Sequence, residues 1–323
     1  MVDPTFTIAM PAYNSGRTIR AAIRSVLAQT RSDFELLVVD DGSEDDTAAQ
    51  VARFEDERVR LYRQENSGPG AARNLAIIAG RGRYVSMLDS DDLWLPTYLE
   101  SMAAILDGDP EVGLAYTDAW VLDDPTGRIR RTTAMQYQHP PRDPPRDPLD
   151  FLALLLKRGN FVFTSTTVRH TALERVGLFE VALKPAEDFG LWLRIVAGGF
   201  RAMRTPGNLA VYRKRPGSLS TNEAAILEGE RESVRLVAEE YDVPEWIHVL
   251  AQTRLRTLDR RLAGLGDESG LTPSLARARA RAVRVKAALV EPFAWHRHPP
   301  PEVAAVLADA NADDDHAGAH GQA

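Results

Sequence analysis

The sequence predicts an α/β protein built on a largely parallel sheet with helices on both faces. Apolar runs typical of buried strands alternate with runs of helical period over the first part of the chain, which is the pattern of parallel strands connected by helices. The chain has 323 residues, of which 44% are apolar, enough to bury a large core in one domain or two. Acidic side chains directly follow two of the predicted strands, so the sheet is expected to have a polar edge.

The first part of the chain contains four predicted strands and three predicted helices. In the first helix, Ile19, Ile23 and Val26 share one face, as expected of an amphipathic helix packed on a sheet. Ligands of open α/β sheets bind beyond the carboxyl ends of the strands, so the residues that follow each strand are the candidates for function. The predicted strands are 6–10, 35–39, 59–62 and 84–88, and the predicted helices are 17–29, 46–54 and 70–79.

The rest of the chain has a mixed pattern. Residues 139–148 are too rich in proline for regular structure, because proline lacks an N–H donor and fixes φ, and we expect an exposed loop beside the site. Residues 223 to about 290 are predicted to be helical, and the acidic tail 299–323 to be disordered. The other predicted elements are helices at 96–106 and 188–197, strands at 112–121 and 163–169, and a pair of short strands within 201–213.

Composition excludes several classes of protein. The chain has no cysteine, which removes disulfides, thiolate zinc sites and cysteine nucleophiles. Its 46 acidic residues exceed its 39 basic residues, and the net charge of −7 argues against sequence-independent binding to nucleic acid. No basic leader precedes the first strand, and no apolar run approaches the roughly 18 residues that span a bilayer. We therefore expect a soluble, cytoplasmic protein that does not bind nucleic acid.

Two acidic clusters stand at the predicted ends of the second and fourth strands. Each cluster alone has a plain alternative, a helix N-cap with a glycine for the turn. Two clusters on adjacent loops favour a cation, because neighbouring carboxylates repel one another and their hard oxygens suit Mg²⁺ or Mn²⁺. Such an ion usually completes its shell with substrate phosphates, so a phosphate-bearing ligand is indicated. The clusters are Asp40-Asp41-Gly42-Ser43 and Asp89-Ser90-Asp91-Asp92.

A glycine-rich segment, residues 66–74, leads from the third strand into a helix and carries Arg73 one turn in. Backbone amides at such a helix N-terminus favour an anion. The alternative is a plain turn, since Gly68-Pro69-Gly70 lacks the third glycine of a dinucleotide-binding fingerprint. The phosphate loop GxxxxGK is absent from the sequence.

Taken in order, these residues resemble the family 2 glycosyltransferases of GT-A fold, over roughly residues 6–215. The resemblance implies a Rossmann-like mixed sheet flanked by helices, with a C-terminal helical extension. The similar segments are Pro11-Ala12-Tyr13-Asn14 (PxYN), Val38-Val39-Asp40-Asp41-Gly42-Ser43 (VVDDGS), Asn66 to Asn74 (NxGxxxARN), Asp89-Ser90-Asp91-Asp92 (DxD) and Glu187-Asp188 (ED).

The resemblance also implies a division of the chain and a nucleotide site. A GT-A domain would span 1–221, with a nucleotide-binding part at about 1–92 and an acceptor part at about 93–221, before a helical region at 222–298. Asp41 would accept a hydrogen bond from the imide of uracil or another pyrimidine. The remaining nucleotide contacts would come from Pro11, Ala12, Tyr13, Asn14, Arg73 and Asp89.

For the chemistry, the resemblance implies that Asp91 and Asp92, beside Asp89, hold a Mn²⁺ or Mg²⁺ that bridges the donor diphosphate. Asp188 would be the general base that removes the acceptor hydroxyl proton. The alternative for Asp188 is a helix N-cap, because it precedes an amphipathic helix.

One position departs from the family pattern. Arg215 in Tyr212-Arg213-Lys214-Arg215 occupies the place where the similar YRxHxxS segment has histidine. Arginine cannot bind a metal, but a bidentate contact with the donor diphosphate would supply a fixed positive charge. The alternative is an exposed basic loop.

The sequence thus predicts an inverting, metal-dependent transferase that moves a sugar from a nucleotide diphosphate donor, a UDP-sugar by preference, to a hydroxyl of a glycan or lipid-linked acceptor. A basic stretch at 277–286 suggests peripheral contact with the inner face of the membrane, where such an acceptor is held. Two alternatives remain: a sugar-phosphate nucleotidyltransferase and a catalytically silent nucleotide-sugar-binding module.

Overall fold

The computed structural model describes residues 3–124, 126–138, 140–141, 143–163, 165–183, 185–215, 222–266 and 299–311. The strands are β1 (Phe6–Ala12), β2 (Phe34–Asp40), β3 (Val59–Arg63), β4 (Tyr84–Met87), β5 (Leu93–Trp94), β6 (Val112–Asp123), β7 (Arg128–Ile129), β8 (Thr166–Arg169) and β9 (Arg201–Lys214). The helices are α1 (Ile19–Leu27), α2 (Thr47–Val51), α3 (Pro69–Ala79), α4 (Tyr98–Gly108), α5 (Pro148–Arg158), α6 (His170–Val176), α7 (Glu187–Ala197), α8 (Glu223–Glu240), α9 (Glu245–Gly266) and α10 (Pro301–Asn311). Short 3-10 helices form at Met135–Gln138 and Val181–Leu183.

The strands described form one mixed sheet in the order β3-β2-β1-β4-β8-β6-β9-β5, with β7 paired to β6. The strands β1 to β4 are mutually parallel, as predicted, whereas β8 is antiparallel to both β4 and β6. The carboxyl ends of β1, β2 and β4 therefore meet at one edge of the sheet, where the acidic clusters lie.

Each face of the sheet buries its own apolar layer. On one face, α3, α5 and α7 pack over a cluster that contains Tyr116, Phe151 and Trp192. On the other face, α1 and α4 pack over a cluster that contains Phe6, Ile23 and Trp94. Strand β2 is buried at all seven positions because it lies inside the sheet and is covered on both sides.

The prediction of two short strands within 201–213 is wrong, because β9 is a single strand of 14 residues. Pro206-Gly207 gives the appearance of a break in the sequence. In the structure these residues lie where the register between β6 and β9 shifts, between Tyr116 and Asp118, so the missing proline N–H removes no regular ladder bond.

The predicted disorder of the tail is wrong for residues 301–311, which form α10 and pack on α1. Val303 is fully buried, with Val306 and Leu307 at helical spacing beside it. The prediction of disorder rested on the acidic composition and overlooked this apolar face, which consists of only three residues. Residues 267–298, including the basic stretch 277–286, lie outside the described part of the chain, as does the end of the tail.

Among the helices that the structure describes, none is both long enough and apolar enough to cross a membrane.

Candidate active site

Three loops at the carboxyl edge of the sheet are tied together by hydrogen bonds. After β1, Asn14 adopts a left-handed φ of 48°, which asparagine tolerates better than most residues. The Asn14 N–H donates to Ser43 Oγ (2.9 Å), and the Asn14 side-chain oxygen accepts from the Glu44 N–H (2.9 Å). Ser15 Oγ lies 2.8 Å from Ser90 Oγ. The loops after β1, β2 and β4 are therefore neighbours.

The segment predicted to line a nucleoside ends β1. Pro11 and Ala12 are the last residues of the strand and are buried, whereas the side chain of Tyr13 is turned outward and is 46% exposed. The ring of Tyr13 is thus available to a ligand, and the buried Pro11 and Ala12 lie directly before it at the end of β1.

Asp41 is buried and holds the loop between β3 and α3. Its Oδ1 accepts from Gln64 Nε2 (2.8 Å) and from the Ser67 N–H (2.8 Å), and its Oδ2 accepts from the Gly68 N–H (2.7 Å). A carboxylate has about four acceptor positions, so three are used by this loop and one remains. Asp41 therefore positions the N-terminus of α3 and can still accept one hydrogen bond.

Arg73 is 3% exposed and joins two acidic segments that are far apart in sequence. Its Nη2 lies 2.6 Å from Asp89 Oδ1 after β4, and its Nη1 lies 2.8 Å from Glu187 Oε1 in the first turn of α7. Its guanidinium also lies over the ring of Phe179. Burial opposes the charged form, but the charges of Asp89 and Glu187 outweigh it and raise the pKa of Arg73.

Asp188 follows Glu187 in α7 and is held on both carboxylate oxygens. Oδ1 accepts from the Phe189 N–H (2.6 Å), and Oδ2 accepts from Asn160 Nδ2 (3.1 Å). Burial raises the pKa of Asp188 to about 7, the charge of Glu187 adds to the rise, and Arg73 opposes it. A carboxylate with a pKa near neutrality is suited to accept a proton from a hydroxyl.

The turn after β4 is fastened to the end of β9. The Arg213 N–H donates to Asp92 Oδ1 (2.8 Å), Arg213 Nε donates to the Asp91 carbonyl oxygen (2.9 Å), and Arg215 Nε lies 2.9 Å from Asp91 Oδ2. Burial and the charge of Asp89 raise the pKa of Asp91, while Arg215 opposes the rise. Burial and the charge of Asp91 raise the pKa of Asp92 well above its usual range.

These carboxylates suit a divalent cation only when a ligand supplies further oxygens. Within the described ranges, no group of three His, Cys, Asp or Glu side chains is arranged to hold a metal ion. Asp89 and Asp91 keep side-chain exposures of 28% and 17%, whereas Asp92 is buried against the backbone of Arg213. Mg²⁺ commonly binds one or two carboxylates together with substrate phosphates, and Asp89 with Asp91 fits that mode.

Sequence reasoning gave no role to several residues of this site. Asn160 follows α5 alone, without any motif, and only the fold brings it to Asp188. Gln64 and Arg213 act through hydrogen bonds to Asp41 and to the turn after β4, respectively. Glu187 had a signal, because it adjoins Asp188 and a buried arginine needs a carboxylate partner.

Comparison with known proteins gives a consistent result. The family model described as "Glycosyl transferase family 2" matches residues 7–177. The succinoglycan biosynthesis protein ExoO of Rhizobium meliloti (strain 1021) is 33% identical over 312 residues, which cover 94% of this chain and 86% of that protein. The Escherichia coli protein UDP-Glc:alpha-D-GlcNAc-diphosphoundecaprenol beta-1,3-glucosyltransferase WfaP is 27% identical over 220 residues, 67% of this chain and 80% of that protein.

Among solved structures, the mannosyltransferase PcManGT from Pyrobaculum calidifontis, in complex with GDP-Man and Mn²⁺, matches with a TM-score of 0.57 at 19% sequence identity. The match covers 97% of this chain and 88% of that one. The predicted fold class is confirmed: this is a GT-A type mixed sheet flanked by helices.

Proposed function

The chain belongs to glycosyl transferase family 2, and from this membership we propose that it transfers a sugar, with inversion, from a UDP-sugar to a hydroxyl of a glycan in polysaccharide assembly. The observation that carries the proposal is the Arg73 bridge, which places the donor-side Asp89 and the base-side Glu187-Asp188 on one guanidinium. ExoO is named for succinoglycan biosynthesis, and WfaP for glucosyl transfer to a diphosphoundecaprenol-linked sugar. These names support a growing glycan, held on a lipid diphosphate, as the acceptor.

The nucleoside binds at the end of β1. The exposed ring of Tyr13 stacks on the base, and Pro11, Ala12 and Asn14 shape the turn beneath it. The one acceptor position left on Asp41 takes the imide N–H of uracil. The other hydrogen bonds of Asp41 keep that oxygen fixed, because the loop into α3 cannot move without breaking them.

The diphosphate lies beside the turn after β4. Arg215 reaches it from the end of β9, where its guanidinium is held by Asp91. Asp89 and Asp91, with Asp92 supporting their turn, would hold a Mn²⁺ or Mg²⁺, which when bound stabilises the negative charge of the leaving diphosphate. The Mn²⁺ in the PcManGT complex supports this use of a divalent ion.

The acceptor hydroxyl oxygen attacks the anomeric carbon from the face opposite the diphosphate, and Asp188 accepts the proton of that hydroxyl. Asn160 and the Phe189 N–H orient the carboxylate, and its raised pKa makes it a base near neutral pH. The bond from the anomeric carbon to the diphosphate oxygen breaks, and the nucleoside diphosphate leaves with the electron pair.

The test is a donor screen scored by release of nucleoside diphosphate, with and without Mn²⁺, for the wild type and Asp188→Asn. The variant should lose about 10²–10⁴-fold in kcat, because it lacks the base, while its Kd for UDP stays within about twofold. Asp150→Asn, an exposed acidic residue in the first turn of α5, is the matched control and should behave as the wild type.

Pyrophosphate as the product would contradict the proposal and identify a nucleotidyltransferase. Absence of turnover with every donor, despite tight UDP binding, would identify a nucleotide-sugar-binding module. Loss of UDP binding in a folded Asp188→Asn variant would contradict the role given to Asp188.

A further inference from the structure

A cavity of about 1180 Å³ lies on the far side of β6 from β4. Its wall is built by Asp118 in the middle of β6, by residues 202–208 of β9, and by described residues between Thr132 and Arg146. Pockets for drug-sized ligands are roughly 300–1,000 Å³, so this cavity has room for more than one sugar ring. None of the residues assigned above to donor, metal or base lines it.

The wall of this cavity is firmly built. The carboxylate of Asp118, 3% exposed, accepts from Thr133 Oγ1 (2.6 Å) and from the Met135 N–H (2.9 Å), and Arg204 Nη2 lies 3.2 Å from it. These contacts fasten the segment after β7 to the sheet. Arg204, which lines the cavity, also has a buried Nε without a hydrogen-bond partner among the described residues. A polar group that lacks a partner beside a cavity is suited to a hydroxyl-bearing ligand.

The charges of the lining balance. Asp118 and Asp143 carry negative charge, and Arg146 and Arg204 carry positive charge. A nucleoside diphosphate would require an excess of cations, and a lipid tail would require an apolar wall. Carboxylate, guanidinium and amide groups arranged around a roomy cavity instead suit a neutral polyhydroxylated ligand, which both donates and accepts hydrogen bonds.

The cavity runs along an open strand edge that resists a peptide. In the part of the chain described, β9 pairs with β6 on one side, and β5 joins its other side only at Ala210 and Val211. Pro206 on that edge lacks an N–H, which blocks the addition of a peptide strand. A saccharide has no such requirement for a continuous backbone ladder.

The register of the sheet relates the cavity to the donor side. Met87 of β4 and Tyr116 of β6 both pair with Thr166, so Asp89 and Asp118 each lie two residues beyond the same level. Two strand spacings separate β4 from β6, about 10 Å. The cavity therefore lies at about the same level along the sheet as the acidic turn that follows β4.

A row of aromatic rings lies between the cavity and Asp188. Phe161 follows Asn160, the partner of Asp188, and its ring lies 5.8 Å from the ring of Phe151, which lies 6.0 Å from that of Tyr116. Tyr116 is next to Arg204 in the register of the sheet. The cavity is thus several side chains away from Asp188, too far to hold the reacting hydroxyl.

We infer that this cavity binds a neutral oligosaccharide segment of the acceptor, the part remote from the hydroxyl that reacts. The inference rests on the proposed function, since only a glycan acceptor has such a segment. It predicts that the enzyme measures acceptor length, because a longer glycan reaches the cavity and a short one does not.

The experiment compares the wild type with the double variant Asp143→Ala/Arg146→Ala. Both side chains are exposed on the cavity wall and their charges cancel, so the variant should keep the wild-type Tm. Arg53→Ala/Gln252→Ala, exposed elsewhere, is the matched control. The probes are oligosaccharides of glucose and of N-acetylglucosamine, from disaccharide to hexasaccharide, titrated directly by calorimetry and also supplied as acceptors.

In the wild type and the control, the affinity for the oligosaccharide should increase with the length of the oligosaccharide and then become constant. The double variant should lose about tenfold in affinity for the longest probes, as expected for two lost hydrogen bonds, with the disaccharide affinity unchanged. Affinity independent of length in the wild type, no binding of any probe, or equal behaviour of all three proteins would overturn the inference.

The two proposals fail in different ways. Nucleoside diphosphate release with unaltered length dependence in the double variant would overturn the cavity assignment and leave the transferase standing. Absence of release with every donor would overturn the proposed function, while the calorimetric titration would still report on the cavity.

Discussion

Asp188 is a carboxylate in an unusual position, because it follows another acidic residue, Glu187, in a buried first turn of a helix. Two like charges in such a place are costly unless a cation compensates them. Arg73 ion-pairs with Glu187, whereas Asp188 has hydrogen bonds from Phe189 and Asn160 and, among the described residues, no ion pair of its own. The environment thus divides the two residues: Glu187 forms the ion pair with Arg73, and the pKa of Asp188 is raised.

The pH dependence of activity follows from this division. The pKa of Asp188 is raised to about 7, and the base must be unprotonated, so kcat/KM should rise roughly tenfold per pH unit below that value and level off above it. Asn160→Ala removes a hydrogen bond that favours the charged form, and should move the inflection to higher pH. Initial rates across a pH series, at saturating metal ion, measure both curves. A profile without an inflection between about pH 6 and 8 would contradict the assignment.

Arg215 makes a second prediction at this scale. If its guanidinium contacts the diphosphate, Arg215→Ala should weaken the affinity for UDP about tenfold or more, while the affinity for uridine stays unchanged. Calorimetric titration with the two ligands gives the comparison. Arg215→Lys keeps the charge but not the bidentate geometry, so its affinity for UDP should lie between those of the wild type and Arg215→Ala. Equal losses for UDP and uridine would contradict a diphosphate contact.

At the scale of elements, the site depends on where strands end. The chain turns sharply after β2 at Gly42, whose φ of 76° a residue with a side chain rarely adopts, and a Cβ there would lie 3.0 Å from the Asn66 backbone nitrogen. The turn leaves Asp41 facing the N-terminus of α3. Alternating strand and helix patterns predicted this part correctly, because β1, β2 and β4 are buried on both faces and α1 has one apolar face.

The docking of α10 on α1 gives an element-scale prediction. Val303→Asp should lower the free energy of unfolding by about 2 kcal/mol, because it places a charge in a fully buried position. Ala305→Asp introduces the same charge on the exposed face of α10 and should have little effect. Urea unfolding of the two variants and the wild type measures the difference. Equal stabilities would show that α10 is not held in this position.

At the scale of the whole molecule, the parts that the sequence predicted and the parts it did not have different physical origins. Motif residues such as Asp41, Asp89 and Asp188 lie next to strand or helix ends, so their positions follow from the local pattern. Asn160 and the wall around Asp118 arise from contacts between segments distant in the chain, which no local pattern contains. The prediction of two strands in place of β9 is wrong for a related reason. The strand tolerates Pro206 only because its partner β6 is irregular at the same level.

The contact of one guanidinium with Asp89 and Glu187 has a thermodynamic consequence. Arg73 lowers the proton affinity of Asp188, so a donor bound near Asp89, as proposed above, would change that affinity through Arg73. By reciprocity, any effect of the donor on that proton is matched by an effect of the proton on donor affinity. On the proposed donor site, the buried arginine would therefore couple donor binding to protonation of Asp188.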